Sequence, residues 1–207
     1  MEDVLAVYER PYNPLYPVVC MDEASRQLLE ETRPSYRLPD GSKRQDYEYI
    51  RHGEQKILLA TEPLANWRTV WVNPTRTAVD WAHFVAKEII ARYPQAEKIV
   101  LVCDNLNIHT PASFYAAYDP AKARSLVERL EIHYTPKHGS WLDIAEIELS
   151  ALQNQCLKGR LIGTAEELVT ETSAWAKQRN EKQATVRWQF TTSDARTKLA
   201  RLYPILV

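Results

Sequence analysis

The chain is poor in glycine, with five among 207 residues: Gly41, Gly53, Gly139, Gly159 and Gly163. None stands in G-x-G-x-x-G or Walker A spacing, which excludes the loops that cradle nucleotide phosphates. Cysteine is scarcer still. Cys20, Cys103 and Cys156 are odd in number, far apart and never in a C-x-x-C pair, which argues against a disulfide framework or structural zinc and fits a reducing compartment. No apolar run nears the roughly 20 residues that span a bilayer. The opening MEDVLAVYERPYNP carries acids where a secretory signal needs a basic segment, so no membrane partner and a cytoplasmic location are expected. An excess of charge is missing too. Lys and Arg number 26 against 27 Asp and Glu, for a net charge of -1, so no global basic field draws the chain onto nucleic acid. Any such contact has to be local.

What is present is an ordinary globular balance, 45% apolar and 26% charged, which speaks against disorder, collagen and coiled coil. A chain of this length reads as a single domain over residues 1–207. After a Pro- and Tyr-rich lead, Pro17–Met21 reads as a buried strand ending at Asp22. Residues 33–46 hold prolines, a glycine and many charges and are assigned no element. Tyr47–Arg51, Lys56–Glu62 and Arg68–Val72 read as short strands of an antiparallel meander. From Ala78 to Tyr93 the apolar period becomes helical and Pro94 closes it. Lys98–Asp104 is a strand buried on both faces, Ala121–Leu130 a helix and Glu131–Thr135 another strand, which together imply a parallel crossover. Asp143–Leu157, Ala165–Arg179 and Asp194–Tyr203 read as helices. The fold class is therefore α/β: a mixed sheet, antiparallel meander plus parallel strands, flanked by helices.

In such sheets ligands sit at the carboxyl ends of parallel strands, and two acids, Asp22 and Asp104, stand at such ends. A single one would read as a helix cap or turn initiator; finding the pattern twice is more telling. A third acid comes from HGSWLDIAEIELSALQNQC. On a helix at about 100° per residue, Asp143, Glu146, Ser150 and Gln153 share a polar arc beside an apolar stripe of Ala145, Leu149, Leu152 and Cys156. Glu146 borders the packed face, whereas Glu148 points away and is expected to be solvated. Asp143 and Glu146 would also suit a variant capping box. Gathered carboxylates repel unless a cation compensates them, and oxygen ligands without nearby His or Cys suit Mg²⁺ or Mn²⁺ rather than zinc.

CMDEASRQL, CDNLNIHT and HYTPKHGSWLDIAEIELSALQNQC resemble the catalytic domain of DDE transposases, in the bacterial insertion-sequence branch of the mariner-like superfamily. The resemblance runs through to the final WQFTTSDARTKLARLYP. It implies a ribonuclease-H-like fold and an Asp-Asp-Glu triad that falls on Asp22, Asp104 and Glu146. These would be catalytic and would ligate two Mg²⁺ or Mn²⁺ ions with DNA bound. It also implies a reaction in two acts, cleavage at a transposon end and attack of the freed 3′-hydroxyl on target DNA, both in-line displacements at phosphorus. The spacing from Asp104 to Glu146 exceeds that of eukaryotic relatives, and the extra residues fall around Ala112–Leu130, where they lengthen a crossover.

Near the triad, Lys137, His138 and Trp141 are candidate DNA contacts, Lys137 as a point charge for phosphate and Trp141 as a stacking platform or a packing residue. Asn105, Asn107 and His109 are candidates for orienting the ligands from behind, or plain turn and loop residues. Trp67, Trp71, Trp81 and Trp175 lie within apolar patterns and read as core. Arg196, Lys198 and Arg201 read as a solvated helix end before a DNA-facing stripe. The implied partners are transposon-end and target DNA, with a homodimer in the DNA complex and a nucleoid-associated location in a bacterium. A transposase of this kind carries helix-turn-helix modules ahead of the catalytic domain, and a first strand near residue 18 leaves no room for them. The expectation is a separated catalytic half: a second reading frame joined to a separately encoded helix-turn-helix portion by frameshifting, a truncated remnant, or a fragment of a longer protein. The alternative is a shortened, non-catalytic partner or inhibitor of full-length transposase.

Overall fold

The computed structural model describes residues 1–33, 36–44, 48–137 and 139–203, apart from the Lys43 side chain. It opens with a helix to which the sequence pattern assigned nothing, α1 (Glu2–Tyr8), which buries Val4, Leu5 and Val7. Seven residues are too few to display a helical period. Strand β1 (Val18–Glu31) follows, then the two-residue ladder of β2 (Tyr36–Arg37) and β3 (Lys43–Arg44) within the stretch expected to be irregular. Gly41 turns between them at φ +82. Strand β4 (Tyr49–Glu62) merges two strands expected to be separate. Its pairing with β1 shifts between Gln27 and Leu29, opposite Gly53 at φ +90: a bulge, not a turn, absorbs the glycine. Strand β5 (Trp67–Asn73) completes the meander.

Helix α2 (Ala78–Phe84) starts at a capping box formed by Thr77 and Asp80 and continues through a wider turn at Val85–Ile89 and a tighter one at Ile90–Arg92. Strand β6 (Ile99–Cys103), helices α3 (Ala112–Ala117) and α4 (Pro120–Val127) and strand β7 (Leu130–Tyr134) form the expected crossover. Helices α5 (Ile144–Leu152), α6 (Ala165–Glu181) and α7 (Thr192–Lys198) close the chain.

The sheet order is β5-β4-β1-β6-β7, antiparallel among the first three strands and parallel from β1 to β7. Alternation along the strands splits the core in two. Val18, Cys20, Ile57, Leu59, Val100 and Val102 face α1, α5 and α6. Val19, Met21, Leu58, Ala60, Leu101 and Cys103 face α2, α3 and α4. At the β5 edge the Asn180 side chain on α6 accepts from Arg68 N at 2.9 Å and donates to Arg68 O at 2.8 Å. Trp81 is buried at the centre of the second layer and Trp175 in the first, while Trp67 and Trp71 pack partly buried against the second. No helix among the described residues is long and apolar enough to cross a membrane.

Candidate active site

Asp22 does not end its strand. It sits within β1, opposite Leu59 of β4. Strand β1 loses its parallel neighbour after Cys20 but keeps its antiparallel one as far as Glu31, so its backbone stays paired on that side. The useful boundary is the end of β1–β6 pairing. Cys20 pairs with Val102, and each acid stands two residues beyond its member of that pair, which brings Asp22 and Asp104 side by side where the strands part. Even-numbered β1 residues face α5, and the first turn of α5 carries Glu146. The three sequence-predicted acids therefore come from β1, the end of β6 and the start of α5 to one region.

Their charges act on one another. Burial is the main cause that raises Asp22 to about 7, and Glu23, Glu146 and Asp104 add to it, against a backbone hydrogen bond from Glu23 N at 2.8 Å. A fourth acid joins them. Asp143 caps α5 by accepting from Ala145 N at 2.9 Å, and is 1% exposed. Burial first, and then the charges of Asp22, Glu146 and Asp104, hold it well above the usual carboxylate range. Its Oδ2 is buried without a hydrogen-bond partner. At an effective dielectric constant near 20, two like charges about 5 Å apart repel by about 3 kcal/mol, so such a group is costly unless a cation or protons relieve it.

Asp104 is relieved. His109, 0% exposed, places Nδ1 2.6 Å from Asp104 Oδ1 and 3.2 Å from the Asp104 backbone carbonyl, and Leu106 N reaches the same carboxylate oxygen at 3.3 Å. Burial opposes both charges. It is outweighed by His109, which holds Asp104 below the usual carboxylate range. Burial pulls His109 down, but the Asp104 and Glu23 carboxylates and the Cys103 thiol beside it push it up to about 12. Behind it, His109 Nε2 lies 3.2 Å from Glu23 Oε2, Arg76 Nη1 bonds Glu23 Oε1 at 3.1 Å, and the imidazole stacks on Trp81 at 5.4 Å. Glu23 is a site residue that the sequence pattern does not single out. The signal was the Asp-Glu dipeptide itself, because strand alternation sends neighbours to opposite faces.

Glu148 corrects an expectation. Rather than being solvated it is 0% exposed, because α6 and β5 cover the side of α5 that the apolar stripe leaves open. Arg179 grips it through Nε at 3.1 Å and Nη2 at 3.0 Å, and Arg68 Nη2 approaches at 3.2 Å. Asp143 and Glu146 do not form the capping box considered for them; Asp143 caps alone. Lys137 is exposed between β7 and α5, and Trp141, 45% exposed, meets Phe190 edge-on at 5.5 Å. His138 lies outside the described residues. Asn105 and Asn107 are exposed on the loop after Asp104. On α7, Arg196 pairs with Glu2 and Lys198 with Asp194, and Arg201 beyond it is exposed, in keeping with a solvated helix end.

Among the described residues, no three His, Cys, Asp or Glu side chains are drawn into a finished metal cage. The donor set nonetheless suits a hard divalent cation: carboxylate oxygens, a raised Asp22 and a buried carboxylate oxygen with no partner.

Comparisons with known proteins bear on the fold and the family. The solved structures it resembles include the Mos1 transposase paired-end complex with left transposon end, at TM-score 0.58 and 15% identity over 88% of this chain and 55% of that one. A pre-cleavage Mos1 transpososome matches at TM-score 0.55 and 14% identity over 91% and 61%. The Mos1 mariner paired-end complex with Mn matches at TM-score 0.55 and 15% identity over 88% and 55%. The match thus spans little more than half of those chains, and at such identities it speaks for the ribonuclease-H-like transposase fold alone. No curated protein sequence matches. The model of the DDE superfamily endonuclease family matches residues 17–169, from the start of β1 into α6, and the chain belongs to that family.

Proposed function

We propose that residues 1–207 form the catalytic domain of a DNA transposase of the bacterial insertion-sequence branch of the mariner-like superfamily. It cuts transposon ends and joins the freed 3′-hydroxyl to target DNA. The observation that carries this reading is the electrostatic coupling of Asp22, Asp104 and Glu146 where β1 and β6 part. Family membership and the Mos1-like fold add to it.

Asp22, Asp104 and Glu146 would hold Mg²⁺ or Mn²⁺. Two such ions, when bound, supply Lewis-acid activation of the attacking oxygen and neutralise charge at phosphorus. The chain's own residues do the rest. The β1–β6 junction fixes Asp22 on sheet backbone and Asp104 just past the end of β6, and the Asp143 cap sets the start of α5 and with it Glu146. Lys137, beside the site, attracts phosphate as a point charge, and exposed Trp141 offers a face for an unpaired base. His138 belongs to the same DNA-contact set, and Asn105 and Asn107 orient the Asp104 loop. The working unit is a homodimer on DNA in the nucleoid.

The test is nicking of supercoiled plasmid and strand transfer of transposon-end oligonucleotides with Mn²⁺ or Mg²⁺, by the chain alone and fused to an end-binding module. Metal-dependent cleavage that disappears in Asp104→Asn supports the reading. Undiminished cleavage in that variant removes it. Inhibition of a full-length relative by the triple-acid variant would instead favour the non-catalytic partner.

A further inference from the structure

Strand β1 places two adjacent acids on opposite faces of the sheet, and both bear on Asp104. Asp22 reaches it on the α5 side. Glu23 reaches it through His109 on the α2 side, at 3.2 Å from Nε2, with His109 Nδ1 then 2.6 Å from Asp104 Oδ1. The Glu23 side chain is 2% exposed, and Trp81 lies flat against the imidazole. A buried histidine between two carboxylates, with Arg76 on the far one, is an expensive way to fill a core that apolar side chains would fill as well. It has one geometric result. The close polar contacts to the Asp104 carboxylate found among the described residues, the Leu106 N hydrogen bond and the His109 ion pair, fall on Oδ1, which leaves Oδ2 for whatever Asp22 and Glu146 also face.

We propose that Glu23 and His109 are positioning residues for Asp104: Glu23 fixes the imidazole, and the imidazole fixes the carboxylate so that Oδ2 is presented to a divalent cation. The pair touches neither DNA nor metal. The proposal rests on the active-site reading above, so its test has to separate the two.

Glu23→Gln is nearly isosteric, keeps a hydrogen-bonding group and removes the charge that orients His109. Mn²⁺ binding by the whole chain is measured calorimetrically without DNA, beside the wild type, Asp104→Asn and His109→Gln. Glu23→Gln and His109→Gln are expected to weaken Mn²⁺ binding by about 10- to 100-fold, the usual cost of losing a group that orients a metal ligand from behind. Plasmid nicking should return to within a few-fold of the wild-type rate at saturating Mn²⁺, because the ligands themselves remain. If Asp104→Asn loses Mn²⁺ binding while Glu23→Gln binds like the wild type, the positioning role is wrong and the active-site reading stands. If the wild type and Asp104→Asn bind Mn²⁺ equally, the active-site reading fails and takes the positioning role with it. Should the variants not fold, the wild-type His109 Nδ1–H resonance decides. Displacement on Mg²⁺ addition supports coupling to the ligand, and an unmoved signal overturns it.

Discussion

Glu146 and Glu148 leave the same helix two residues apart and meet opposite company. Glu148, wholly buried, is held by the forked guanidinium of Arg179 and by Arg68, which is itself fastened to Asn180 and Ala184 O. Glu146 acts on Asp22 and Asp143, where the nearby cations are His109, already shared between Asp104 and Glu23, and Arg76, already paired with Glu23. Burial alone therefore does not tell a structural carboxylate from a functional one. The count of compensating cations does. A saturated acid locks helices together, whereas an unsaturated group of acids is kept at a cost in stability and points to a ligand that arrives later.

The contrast breaks most sharply in activity. Glu146→Gln and Asp104→Asn should each reduce Mn²⁺-dependent plasmid nicking to background while circular dichroism stays unchanged. Glu148→Ala should do the reverse. It strands buried Arg68 and is expected to cost about 3–5 kcal/mol in urea unfolding, with nicking lost only as the folded fraction falls. A Glu148→Ala protein as stable as the wild type would mean that its ion pairs are ornamental.

Acidity sharpens the comparison next. Asp22 is raised to about 7 in the folded chain from an ordinary 3.8. Between about pH 4 and 7 the unfolded chain has released this proton and the folded chain still holds it, so stability without metal should fall as pH rises through that window. At about 1.4 kcal/mol per pKa unit the drop is on the order of 4 kcal/mol. Asp22→Asn should flatten the profile in unfolding curves taken in chelator, and Mn²⁺ should restore stability at pH 8 to the wild type alone. The smallest effect is expected at Asp143→Asn. Asparagine caps a helix as well as aspartate, so unfolding free energy should change by less than about 1 kcal/mol; a larger loss would show that the Asp143 carboxylate, not its cap, holds the start of α5.

Much of this arrangement was legible in the sequence, for definite reasons. Continuous apolar runs closed by an acid marked β1 and β6, and helical angles separated Glu146 from its neighbours. The misreadings have equally definite causes. The mostly polar character of residues 23–31 suggests a strand end at Asp22, yet backbone pairing with β4 carries the strand on regardless of side-chain character. Glu148 was put in solvent because a single-helix projection cannot know that a second helix and an edge strand bring two arginines from residues 68 and 179. Helix α1 was too short to show a period. Glu23 and His109 stand 86 residues apart, and only the crossover through β6 brings them together.

The amide of Asn180 has a consequence of its own. By taking both backbone groups of Arg68 it stands in for a sixth strand at the outer margin of the sheet, so β5 offers no open template there for another polypeptide to extend. Asn180→Leu would expose that margin, and slow aggregation of an otherwise folded protein is the expected price.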